Sequence, residues 1–169
     1  MPNLTTAPRL DCHTRVGVLH AHRELRVVAL ENFEAASCIA VLEGIQSPLA
    51  TRHTIQIGAQ VHLQVPAGTT LAKKIERYPW QFLNHACRPN TRVVGRELIA
   101  LRRIKAFEEL SFDYETTEWE MAEPFDCRCS ECGGRQVRGF RFLNREQRTQ
   151  RRQSLAPHLA ARLEDCLPD

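Results

Sequence analysis

From Leu25 onward the hydrophobic positions recur in short bursts rather than in long helical stripes. Leu25-Arg26-Val27-Val28-Ala29 and Cys38-Ile39-Ala40-Val41-Leu42 predict strands, with residues 31–36 connecting them. His53-Thr54-Ile55-Gln56-Ile57 and Val61-His62-Leu63-Gln64-Val65 alternate apolar and polar residues on either side of Gly58-Ala59-Gln60. That is the pattern of a hairpin with one apolar face, and His62 falls with Gln64 on the outer, solvent side. Pro66, Gly68, Thr69 and Thr70 mark a loop. Arg92-Val93-Val94, a Gly95-Arg96 turn and Leu98-Ile99-Ala100-Leu101 predict a second hairpin, and Leu110-Ser111-Phe112 one more short strand.

The two ends read differently. The first twenty-odd residues follow no period, and their Cys12, His13, His20 and His22 match no tight ligand spacing, so the segment reads as irregular. Asn144 with Gln147 three residues on has the form of a capping box and predicts a helix start. Leu155, Leu159 and Leu163, at steps of four, give a final helix an apolar stripe with Pro157 near its start. Many short strands followed by a helical tail predict a mostly β domain with a few helices and an α-helical C-terminal extension.

A length of 169 residues suits one domain with a small appendage. With 43% hydrophobic and 25% charged residues, the chain is neither disordered nor fibrous. No apolar run reaches the roughly 18 residues of a membrane span, and Met1–Leu10 lacks the order of a secretory signal. The expectation is an intracellular, cytoplasmic protein without membrane contact. Seven cysteines include Cys127, Cys129 and Cys132, spaced too closely for disulfides with one another but well for one metal ion. In a reducing compartment zinc is the better reading, while Cys12, Cys38 and Cys166 read as small buried hydrophobes.

The net charge of +3 is unevenly spread, because 135–152 holds seven arginines against the single acid Glu146. Six of them fall at steps of three or four, which would line one side of a helix. That stripe reads either as a solvated face or as a surface for an acidic partner or nucleic acid.

Three stretches carry candidate chemistry. They are Asn84-His85-Ala86-Cys87-Arg88-Pro89-Asn90, Glu108-Glu109-Leu110-Ser111-Phe112-Asp113-Tyr114, and Cys127-Arg128-Cys129-Ser130-Glu131-Cys132. In this order they resemble the C-terminal half of a SET domain followed by a post-SET zinc segment, of the compact microbial and fungal type. The resemblance implies a knot-like β fold that binds S-adenosylmethionine on one face and admits a lysine side chain from the other. It implies Tyr114 as the catalytic tyrosine, Asn84 and His85 at the methyl donor, and Cys87 as fourth zinc ligand with Cys127, Cys129 and Cys132. Glu24-Leu25-Arg26 stands where the family's donor loop reads Gly-x-Gly, which places Glu24 and Arg26 at the donor together with Phe125. Phe112 and Tyr78 are the expected walls of the substrate channel. Phe107 replaces the glycine usual before Glu-Glu-Leu.

The same resemblance divides the chain into an N-terminal segment (1–22), a SET domain (23–116), a post-SET zinc segment (117–134) and an arginine-rich helical extension (135–169). The leading functional expectation is an S-adenosylmethionine-dependent N-methyltransferase acting on a protein lysine or a related amine. Such a reaction is chiefly one of orientation, with one proton to lose from the amine. A SET-like enzyme of small-molecule biosynthesis, with or without methyl transfer, is the first alternative. A non-enzymatic zinc-bearing module that binds nucleic acid or protein is the second. The sequence is compatible with a monomer or a homodimer.

Overall fold

A computed structural model describes residues 9–12, 15–21, 24–129 and 131–165. His13, His22 and Cys166 therefore lie outside the described residues. The architecture is mostly β, with five small sheets and three short helices among the described residues.

Glu24–Ala29 pairs antiparallel with Val16–Ala21 over six residues, and Arg9–Cys12 adds to the other edge of Val16–Ala21. This corrects the irregular N-terminal segment. Gly17 and His20 interrupt the apolar pattern, so the run carries little period of its own. Register against Glu24–Ala29 puts Val16 and Val18 into the core.

Cys38–Val41, Glu97–Ala100 and Thr91–Val94 form a second sheet with Glu97–Ala100 in the middle, and Gly95 turns the hairpin at φ +58°. Ile45–Ser47 and Ile55–Gly58 flank Val61–Gln64 in a third sheet. The predicted hairpin is present, but His62 is buried rather than on the surface. Both faces of this sheet are covered, because the segment after Tyr114 lies across the side that the alternation assigns to solvent: Glu118 accepts the Gln56 N–H at 2.7 Å.

Helix α1, Leu71–Arg77, is a helix the sequence pattern does not announce, capped by the Thr70 hydroxyl on Lys73 N–H. Helix α2, Arg145–Arg151, starts at the expected capping box. Helix α3, Pro157–Asp165, lays Leu159 and Leu163 on Phe140 and Leu143, forming a second core beside the main one.

The expected arginine stripe does not form. Arg135 precedes the strand Gln136–Val137, Arg138 lies between elements, and Arg141 is in a short 3-10 turn, Phe140–Phe142. Gly139, at φ +113°, ends helical continuity there. A Cβ on Gly139 would sit 2.6 Å from Glu120 Cα and 2.7 Å from Trp119 O, both backbone atoms. Gly139→Ala is expected to destabilise the protein by about 3 kcal/mol through strain and overpacking, read as a fall of about 10 °C in Tm. An unchanged Tm would show that the two segments can part without cost.

Candidate active site and metal centre

Two adjacent strands bring the predicted residues together. Ser111–Phe112 runs parallel to Asn84–His85, pairing Phe112 with His85, and the chain then tightens into a 3-10 turn, Tyr114–Thr116. Asp113 caps that turn by accepting the Glu115 N–H. Tyr114 thus emerges beside His85, Phe112 and Phe125, with ring centroids 5.3, 4.8 and 5.9 Å from its own. Its hydroxyl donates to Leu83 O at 2.6 Å, and burial pushes its pKa up to about 12, so it stays protonated.

His85 joins this cluster to the cysteines. Its Nδ1 accepts the Tyr114 N–H at 3.2 Å, while Nε2 lies 3.4 Å from Cys87 Sγ. A ring that accepts at Nδ1 and is neutral carries its proton on Nε2, aimed at the sulfur. Burial lowers the His85 pKa to about 4 and keeps the ring neutral.

Cys87, Cys127, Cys129 and Cys132 place their sulfurs within 4.8 Å of one another. The Cys87–Cys127 pair is at 3.8 Å and Cys129–Cys132 at 3.5 Å. Four thiolates at zinc's usual bond length of about 2.3 Å stand about 3.8 Å apart in a tetrahedron, so the donor set fits one zinc ion.

On the other side of the Asn84–His85 strand, Asn84 donates to Glu109 Oε1 at 2.9 Å. Arg26 pairs with Glu109 at 3.4 Å and with Glu24 at 2.8 Å. Arg26 Nε is buried without a hydrogen-bond partner. Arg26, with its neighbour Glu24, is thus joined through Glu109 to Asn84, far along the chain. Phe107 adopts φ +67°, a left-handed conformation that glycine takes at no cost, and its N–H is held by Ala29 O at 2.7 Å. Tyr78 packs in the main core and does not line the cavity beside Tyr114.

That cavity measures about 40 Å³, and its walls include Trp80, Leu83, Phe112, Tyr114 and Glu118. Behind the tyrosine lies a buried charge network that motif reading does not supply. Arg151 reaches Asp113 at 2.7 Å and Glu115 at 3.5 Å, and Arg135 reaches Glu115 at 2.5 Å. The remaining signal in sequence was the excess of arginine after the cysteines, whose partners only the fold reveals. Arg138 and Arg148 are also engaged, over the rings of Phe142 and Phe140.

A family model described as SET domain matches residues 24–115, more than half of the chain. The chain belongs to the SET-domain family. SET domains are, at family level, S-adenosylmethionine-dependent methyltransferases. Similar solved structures include KRYPTONITE in complex with mCHG DNA and SAH, at 20% identity and a TM-score of 0.47, covering 68% of this chain and 27% of that one. A second is KRYPTONITE with mCHH DNA, an H3(1–15) peptide and SAH, at 19% identity and a TM-score of 0.46, covering 70% and 28%. The chain therefore spans little more than a quarter of those proteins. None of the curated proteins matches it. Among the described residues of this SET-domain protein, no helix is long and apolar enough to cross a membrane.

Proposed function

We propose that the protein transfers a methyl group from S-adenosylmethionine to the side-chain amine of a protein lysine or a closely related alkylamine. The observation that carries this reading is the position of Tyr114, whose side chain lines a cavity while Asn84, on the adjacent strand, binds the Glu109 that pairs with Arg26. The cavity's walls include Ile55, Trp80, Leu83, Phe112 and Met121, apolar surface that suits an alkyl chain.

The methyl donor carries a zwitterionic amino-acid end and a sulfonium. Arg26, with its unpartnered Nε, and Glu109 with Asn84 offer adjacent cationic and acceptor groups for such an end. Phe125 and His85 add apolar and ring surface. When bound, the donor supplies an electrophilic methyl. The chain's own residues would hold and orient the amine and screen it from bulk water. The amine enters as an ammonium and gives one proton to solvent before its lone pair takes the methyl, and the donor leaves as neutral S-adenosylhomocysteine. Tyr114 acts through its protonated hydroxyl, tied to Leu83 O, as a fixed dipole in the wall of the cavity. Zinc, held by Cys87, Cys127, Cys129 and Cys132, would be structural, since four thiolates leave no open position. Titration with S-adenosylmethionine by calorimetry, followed by labelled-donor assays on core histones, free lysine and a lysate, tests the reading. Absence of donor binding would overturn it.

Phe112 sits against Tyr114 and is buried. In SET domains this position carries phenylalanine or tyrosine as a product switch, and the resemblance implies that a tyrosine hydroxyl here would anchor a water in the space that further methyls need. The protein is therefore expected to go past the first methyl, and Phe112→Tyr to stop earlier. Mass spectrometry of product at long incubation checks this, and arrest at one methyl in the unmutated protein would refute it.

A further inference from the structure

The cavity beside Tyr114 has one carboxylate among its described walls, Glu118. Glu118 follows Tyr114 by one turn, its N–H donating to Tyr114 O at 2.9 Å, and its side chain is buried. Oxygen Oε1 is fixed by Gln56 N–H at 2.7 Å and the Thr117 hydroxyl at 3.2 Å. Oxygen Oε2 has no hydrogen bond from any described residue, and the nearest basic group, His62 Nε2, is 3.9 Å away.

The surrounding groups leave this carboxylate without a fixed counter-charge. Burial lowers the pKa of His62, on the strand below, and of His158, on α3, whose Nε2 sits 2.7 Å from Thr117 O. Both rings are therefore neutral at physiological pH. At the cavity's walls, burial also lowers His53, while Arg52 is exposed and turned to Glu123 at 3.6 Å. Tyr114 is a neutral hydroxyl. The cost of an unpaired buried carboxylate shows in Glu118 itself, whose pKa burial raises to about 7. A cation entering the cavity would relieve that cost, and a neutral molecule of equal shape would not.

We propose that Glu118 is the specificity-determining residue of this cavity, receiving the positively charged amine of an alkylammonium acceptor on its free oxygen. This rests on the lysine-like acceptor of the proposed function, but it concerns binding, which is measurable without any methyl donor.

The test uses n-butylammonium as a probe for the lysine side chain, on the whole zinc-loaded protein, by ligand-observed NMR. The unmutated protein is expected to bind it at pH 8 and to lose it as pH falls through about 7, where Glu118 takes up a proton. n-Butanol, of similar shape and without charge, should bind at least about tenfold more weakly. Glu118→Gln keeps an acceptor for Gln56 N–H, and is expected to weaken n-butylammonium about tenfold or more while S-adenosylhomocysteine binding changes by less than about twofold. In transfer assays on core histones the same variant should raise KM more than it lowers kcat. Equal binding of n-butylammonium and n-butanol to the unmutated protein overturns the inference, whether or not the variant folds, and so does equal n-butylammonium binding by a folded variant. Charge-selective binding without any methyl transfer would overturn the proposed function and leave the role of Glu118 standing.

Discussion

Tyr114→Phe is expected to lower kcat by about a hundredfold or more, roughly 3 kcal/mol of transition-state stabilisation, while donor affinity moves by less than about threefold. Tyr114 lines the cavity, and its hydroxyl makes a 2.6 Å hydrogen bond to Leu83 O. Its loss removes a fixed dipole from the reacting centre and frees Leu83 O, which adds a stability cost of about 1 kcal/mol. Single-turnover kinetics with bound donor separate the two effects. An undiminished rate would move the role away from Tyr114, and Tyr78 is no ready substitute because it packs within the main core.

Cys127→Ser is expected to take the protein from one tightly held zinc per chain to a loosely held or absent one. Cys87 lies in the turn after the Asn84–His85 strand, while Cys127, Cys129 and Cys132 belong to the segment following Phe125–Asp126. The four-sulfur cluster is therefore a joint between the main sheet region and the end of the chain. Because metal binding and folding are coupled, opening the joint should destabilise the cysteine segment by several kcal/mol and release Phe125 from His85. Elemental analysis gives the stoichiometry, and hydrogen exchange gives the location, with faster exchange expected after residue 125. Less than half an equivalent of zinc in the unmutated protein would sink the idea.

Much of the site could be read from sequence because its residues sit in short contiguous motifs. Asn84 and His85 share one short strand with Cys87 just after it, and Phe112 and Tyr114 share one strand and its exit, so a resemblance carried by those motifs reaches their neighbourhood. What stayed hidden depends on contacts between distant segments. Glu115 and Glu118 look like solvent-facing acids in Tyr114-Glu115-Thr116-Thr117-Glu118, yet both are buried, one against Arg135 and Arg151, the other against Gln56. The Val16–Ala21 strand escaped notice because its order comes from pairing with Glu24–Ala29 rather than from its own pattern. His62 misled because alternation identifies two faces of a strand but not whether something covers the second.

The clasp behind Tyr114 bears on where this domain can be cut. Residues 24–115, the stretch that matches the family, include Asp113, Tyr114 and Glu115, but Arg135 and Arg151 lie beyond it. A minimal domain trimmed to that stretch would carry two buried carboxylates stripped of their guanidinium partners, directly flanking the tyrosine. Removing one side of a buried ion pair costs about 3–5 kcal/mol, far more than the pair itself contributes. The arginine-rich tail is thus a structural counterweight to Tyr114's neighbours, and the working unit extends at least through Arg151.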